Sequence, residues 1–160
     1  MTRAFVALGS NLGDPRGQLE RACEALARLP ATQLAARSRL YRTPPWGMTA
    51  QPPFLNAVAM LETTLAPNTL LEALLAIERA AGRVRGTERW GPRTLDLDLL
   101  HMEETVLDTP ELTLPHPRIA ERAFVLLPLA DLAPDLVLPG LGRVDVLLAG
   151  VETQGCVPLA

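Results

Sequence analysis

At 160 residues, 48% of them hydrophobic and 21% charged, the chain suits one domain, 1–160, with an ordinary core and little room for a second. Lys and Arg total 15 against 18 Asp and Glu, a net charge of -3, which argues against a general nucleic-acid or membrane-surface binder. Every basic residue is Arg, so a P-loop, a kinase strand lysine and a lysine Schiff base are all excluded. The two serines, Ser10 and Ser38, both lie outside any G-x-S-x-G motif.

In chain order, Arg3–Leu8 reads as a strand ending in the turn-rich Gly9-Ser10-Asn11-Leu12-Gly13. Asp14-Pro15 supplies a helix cap and a first-position proline. Leu19, Ala22, Cys23, Leu26 and Leu29 follow at helical spacing. Thr32–Tyr41 is a second strand whose alternation is blurred at Ala35 and Ala36. The prolines between Thr43 and Pro53 demand a long loop. Asn56–Leu61 is a third strand, and Pro67–Ala80 a second helix with Leu70, Leu71, Leu74 and Ile77 toward the core and Gly82 past its end. Gly82–Thr94 is a second long loop, and Leu95–Leu100 alternates strictly as a fourth strand. Irregular chain with short strands runs over Thr105–Pro115, followed by proline-broken helical pieces over Ile119–Leu132 and a short helix at Val144–Leu148. The order βαββαβ predicts an α+β, ferredoxin-like sandwich: an antiparallel sheet, helices on one face, plus a C-terminal extension.

The sharpest local signal is Arg89-Trp90-Gly91-Pro92-Arg93-Thr94-Leu95-Asp96-Leu97-Asp98. On a strand, Asp96 and Asp98 share one face while the leucines share the other. Paired carboxylates suit Mg²⁺, which takes one or two of them plus substrate phosphates. Arg83, Arg85, Arg89 and Arg93 lie in the preceding loop with only Glu88 opposing them, and guanidinium groups bind phosphate oxygens. A solvated acidic face beside a solvated basic loop is the plain alternative; together the two features point to a metal–polyphosphate site. Trp46, Phe54 and Trp90 sit in or beside the Pro/Gly-rich loops, where flat side chains can close on a flat ligand, and Asn56 offers an amide to a heterocycle edge. His116, held between Pro115 and Pro117 near Arg118 and Arg122, is a phosphate-contact candidate, whereas His101 is read as structural.

These stretches resemble a known family, the 6-hydroxymethyl-7,8-dihydropterin pyrophosphokinases (HPPK) of folate biosynthesis. The likeness lies in Gly9–Asp14, Tyr41–Pro45, Phe54–Ala57, Gly82–Arg85, Arg89–Leu100, and Leu114–Arg118 with Glu121-Arg122, in family order. It implies transfer of the β,γ-pyrophosphate of ATP, as co-substrate, to the pterin hydroxymethyl group. It further implies that Asp96 and Asp98 hold two Mg²⁺ ions and that Arg83 and Arg93 neutralise the transferred group. Arg85 and Trp90 would seal the loop over the nucleotide, His116 and Arg122 would contact phosphates, and Thr113 with Leu99 would line the adenosine pocket. The pterin would stack between Phe54 and Phe124, read by Asn56 and by the backbone of Thr43, Pro44, Pro45 and Trp46. Both long loops would act as lids that exclude water. Glu111 stands where some relatives carry a basic residue near ATP, and Trp46 where relatives often have a smaller apolar one.

The partners expected are small molecules, with no nucleic acid and no membrane, for a monomeric protein. Met1–Ser10 lacks a leader pattern, and a cytoplasmic protein is the expectation. Two rival classes are a Mg-dependent nucleotide hydrolase or nucleotidyltransferase using the same Asp pair, and a ferredoxin-like RNA-binding or regulatory module. The first gives Phe54, Asn56 and Phe124 no task; the second needs a basic sheet face or aromatics on central strands.

Overall fold

A computed structural model of the chain describes residues 1–44, 52–82 and 95–159. At its centre is β1 (Thr2–Ser10), flanked antiparallel by β4 (Phe54–Thr63) on one side and β5 (Asp96–Met102) on the other. The outer edge of β4 takes β2 (Thr32–Arg37) and then β3 (Tyr41–Thr43), and β3 in turn pairs with β10 (Val157–Pro158). Apart from β10 and the split of the second strand, the element order and pairing are those expected of a ferredoxin-like sheet.

The second strand breaks because Ser38 folds inward: its N–H donates to the Val58 carbonyl, while its hydroxyl accepts from Val58 N–H, both at 2.9 Å. The blurred alternation at Ala35-Ala36 marks a bulge, since Leu34 pairs with Leu61 and Ala36 with Met60, leaving Ala35 as the extra residue. A second bulge in β5 leaves Leu100 unpaired between Leu99 and His101. That is why consecutive Leu100 and His101 both lie on the face of Phe5.

Helix α1 (Pro15–Ala27) starts where the Asp14 carboxylate accepts from Gly17 N–H at 3.2 Å, with Pro15 in the first turn. It buries Leu19, Ala22, Cys23 and Leu26; α2 (Pro67–Ala80) buries Leu70, Leu74 and Glu78. Both cover the sheet face formed by Val6, Leu8, Ala59, Leu97 and Leu99. The intervening short strands are β6 (Leu107–Asp108) and β7 (Thr113–Leu114), which pair as a hairpin, and a 3₁₀ turn follows at Ile119–Glu121.

The C-terminal extension is a third layer. Helix α3 (Ala123–Leu132), continuous through Pro128, packs with α4 (Val144–Ala149) on the opposite face over Phe5, Val58 and Leu100. Between the two helices lies the hairpin of β8 (Val137–Leu138) and β9 (Gly142–Arg143). Asp131 ties α3 to β3: its carboxylate accepts from Tyr41 Oη at 2.9 Å and from Arg39 Nη2 at 3.0 Å. Burial raises this carboxyl, but the bonds from Arg39 and Tyr41 outweigh it and hold Asp131 below the usual carboxylate range. No helix among the described residues is long and apolar enough to cross a membrane.

His101 is buried and stacks on Phe5, ring centroids 6.3 Å apart, with Nδ1 lacking a partner among the described residues. Burial pushes its pKa down from the ordinary 6.5, against an opposing pull from Glu103. The unfolded chain therefore binds the proton first, and stability present above about pH 6.5 is lost as pH falls below it, at up to about 1.4 kcal/mol per pH unit. We expect His101→Leu to flatten this acid limb in urea unfolding measured between about pH 7 and 5. An unchanged slope would contradict it.

Candidate active site

The period of two along β5 sends Leu97 and Leu99 into the α1/α2 core and turns Asp96 and Asp98 toward the α3 side of the sheet. Asp96 is half-buried and Asp98 exposed. Across β1, Asp98 faces Ala7 and Asp96 faces Gly9. Gly9 also faces Asn56 on β4, which faces Tyr41 on β3. One cross-strand row thus reads Tyr41, Asn56, Gly9, Asp96.

Polar side chains converge at the Asn56 end. Thr43 Oγ1 donates to Asn56 Oδ1 at 2.5 Å, and Asn56 Nδ2 reaches the Leu8 carbonyl at 3.5 Å. The Asn11 amide donates to the Pro52 carbonyl at 3.0 Å, holding the chain that enters β4. Phe54 opens β4 opposite Thr43, half-buried. Phe124, in the first turn of α3, is half-buried and carries the Arg122 guanidinium 5.7 Å from its ring centre. Pro44 is exposed and lies against the tail: a Cβ added to Gly155 would sit 2.9 Å from its Cγ.

Cations approach the acids from the segment before α3. His116 N–H donates to the Leu100 carbonyl at 2.7 Å, pinning this segment to β5, the last strand of the sheet among the described residues. Its ring Nδ1 accepts from Arg118 N–H at 3.1 Å, so the neutral ring carries its proton on Nε2 as a donor. Burial pushes the His116 pKa down; Asp98 pulls it up, and Arg122 and Arg118 push it further down. Burial likewise lowers the Arg122 pKa against the pull of Asp98, and the guanidinium stays charged. Asp96, Asp98, His116 and Arg122 therefore form one electrostatic group.

A cavity of about 440 Å³ opens beside β5, lined by Leu71, Leu75 and Glu78 of α2, by Leu99, and by Thr113 and His116. That volume is in the range of small-ligand sites. Leu71 packs against the core and also lines this cavity. Thr113 and Leu99 both line this cavity, and Glu111 stands on the same rim. The sequence reading missed Glu78. It is 4% exposed, and its carboxylate accepts from Leu97 N–H at 2.8 Å, satisfying an edge-strand donor between the two aspartates. Its signal was an acid at the next helical step after Leu70 and Leu74, on the buried stripe.

The structure thus brings Asp96, Asp98, Leu99, Thr113 and His116 to one cavity, with Arg122 in electrostatic reach of both aspartates, and sets Thr43, Phe54 and Asn56 together on β3 and β4; Pro44 follows Thr43, and Phe124 stands in the first turn of α3 beside Arg122. Pro45, Trp46, Arg83, Arg85, Trp90 and Arg93 lie outside the described residues.

Glu78→Leu should lower the unfolding free energy by about 1–3 kcal/mol, since Leu97 N–H loses its acceptor. Glu78→Gln should recover most of it in the same denaturation experiment. Equal losses in both variants would sink this role.

The fold and site define an α+β protein of the ferredoxin-like class, with a charge-paired centre beside a ligand-sized cavity. The family model described as 7,8-dihydro-6-hydroxymethylpterin-pyrophosphokinase (HPPK) matches residues 5–134, and the chain belongs to that family. The Pseudomonas aeruginosa protein named 2-amino-4-hydroxy-6-hydroxymethyldihydropteridine pyrophosphokinase is 55% identical over 153 residues, 96% of this chain and 94% of its own. A protein of the same name from Methylorubrum extorquens is 53% identical over 155 residues, 97% of each. Among solved structures, Plasmodium falciparum HPPK-DHPS wild type with SDX-DHP superposes with a TM-score of 0.69 at 14% identity, covering 94% of this chain and 43% of that one. An HPPK-DHPS in complex with substrates gives a TM-score of 0.72 at 11% identity, over 94% of this chain and 45% of the other. These two likenesses bear on the fold alone, and this chain spans less than half the length of either.

Proposed function

We propose that the chain transfers the β,γ-pyrophosphate of ATP to the hydroxymethyl group of 6-hydroxymethyl-7,8-dihydropterin, releasing AMP, as a step of folate biosynthesis. The observation that carries this is the row Asn56, Gly9, Asp96: it sets a heterocycle-reading amide and a cation-binding carboxylate on one sheet face, two strands apart. The alcohol oxygen attacks the β-phosphorus and gives up its proton to water, and the bond from that phosphorus to the α,β-bridging oxygen breaks. The electron pair leaves with AMP.

Phe54 and Phe124 stack the pterin, and Asn56 with the Thr43–Trp46 backbone reads its edge. Thr113 and Leu99 hold the adenosine in the cavity beside β5. His116 donates Nε2–H to a phosphate oxygen, and Arg122 adds a fixed charge at half-buried depth, where it is weakly screened. Arg83 and Arg93 are assigned to the transferring group, and Arg85 and Trp90 to the nucleotide, on the family pattern of their loop.

Asp96 and Asp98 suit Mg²⁺. They offer it two carboxylates, and Mg²⁺ prefers to fill its remaining positions with substrate phosphates and water. When bound, Mg²⁺ supplies charge neutralisation on the triphosphate and lowers the pKa of an alcohol it touches. The chain acts as a single domain and a monomer in the cytoplasm.

³¹P NMR of ATP, Mg²⁺ and the pterin alcohol with the enzyme should show AMP and a pterin diphosphate growing together. ADP or free pyrophosphate instead would favour a hydrolase or nucleotidyltransferase and reject the proposal. Asp96→Ala and Asp98→Ala should each cut turnover at least about a hundredfold, the rate equivalent of about 3 kcal/mol, with unfolding midpoints near wild type. Full turnover in both would refute the metal assignment. Phe54→Ala should weaken pterin binding by about tenfold in a fluorescence titration and leave nucleotide affinity alone; equal pterin affinity would count against the stack.

A further inference from the structure

Gly9 has ordinary extended backbone within β1, without the positive φ that usually calls for glycine. Its lack of a side chain must be explained by what stands beside it. Along the α3 face of β1 the side chains shrink toward the site, from Phe5 to Ala7 to Gly9. The neighbours of Gly9 in its row are Asn56 and Asp96.

A Cβ on Gly9 would lie 2.8 Å from Asn56 Nδ2, inside van der Waals contact. The amide has little room to yield. Asn56 is 8% exposed, its Oδ1 is held by the Thr43 hydroxyl, and its Nδ2 points at the Leu8 carbonyl. Turning the amide over would set Oδ1 against the Leu8 oxygen, so its sense is fixed as well. An amide has two N–H groups and two oxygen lone pairs. With one N–H directed at Leu8 and one lone pair taken by Thr43, one donor and one acceptor of the same amide remain. That pair matches the adjacent donor and acceptor on the edge of a pterin ring, and such matching fails when the amide shifts by a few tenths of an ångström or tilts.

We propose that Gly9 is a positioning residue for pterin recognition: the absence of a side chain there lets the Asn56 amide lie flat in its Thr43–Leu8 cradle and present one donor and one acceptor to the heterocycle. This rests on the pterin pocket proposed above, and the test separates the two. 6-Hydroxymethylpterin is titrated by its fluorescence, with α,β-methylene-ATP and Mg²⁺ present, into wild type, Gly9→Ala, Asn56→Ala and the double variant.

Gly9→Ala should raise the pterin dissociation constant about tenfold, the loss of one directed hydrogen bond. The affinity for α,β-methylene-ATP should stay within about twofold, which also reports an intact fold. In the Asn56→Ala background the same substitution should add less than about twofold, because its effect runs through the amide. The Asn56 side-chain NH₂ pair in a ¹H–¹⁵N spectrum should move in Gly9→Ala. Wild-type pterin affinity in Gly9→Ala, an equal penalty in both backgrounds, or an unmoved NH₂ pair each overturns the inference. Wild-type pterin affinity in Asn56→Ala overturns the pocket itself.

Discussion

The register of β1 between β4 and β5 is the constraint on which the rest depends. Backbone pairing puts Gly9 opposite Asn56 on one side and Asp96 on the other. Neighbouring strands lie about 4.8 Å apart, so the amide-bearing and acid-bearing residues are spaced by about 10 Å by the backbone pairing itself. A slip of one residue in either pairing would send Asn56 or Asp96 to the α1/α2 core and bring a leucine or alanine to the site. The register is well specified, because Val6, Leu8, Ala59, Leu97 and Leu99 all enter one core and are lost from it together.

The two layers on the sheet divide the work. Helices α1 and α2 cover the face without acids, and Glu78 of α2 reaches the edge strand to bind the N–H between Asp96 and Asp98. The C-terminal layer brings Phe124 and Arg122 to the other face, and Asp131, joined to Tyr41 and Arg39, locks α3 against the strand that ends in Thr43. Stability and site geometry thus share bonds: the contacts that seat α3 also fix where its first turn stands relative to Asn56.

Much of this was legible in the sequence, for physical reasons. Asp96-Leu97-Asp98-Leu99 reads as a strand with an acidic face because period two leaves no other arrangement of those side chains. The capped α1 and the leucine stripe of α2 are equally local signals. Both bulges were obscure, since an inserted residue appears in sequence only as a blurred alternation, at Ala35, or as an extra apolar residue, Leu100. The Ser38 break depends on a side chain replacing a ladder partner. The role of β10, pairing with Arg42 and Tyr41 from the far end of the chain, carries no local mark at all. Glu78 and Gly9 were missed because each matters through one tertiary neighbour, Leu97 N–H and the Asn56 amide. Pro45, Trp46, Arg83, Arg85, Trp90 and Arg93 were read from motif alone and fall outside the described residues.

A crystal structure of the protein with α,β-methylene-ATP, Mg²⁺ and 6-hydroxymethylpterin tests the shared face directly. The heterocycle should lie against Asn56 with its hydroxymethyl arm pointing across Gly9, and the metal ions should sit on Asp96 and Asp98 with the triphosphate between them and Arg122. A pterin bound on another surface, or a triphosphate held away from both aspartates, would contradict the account.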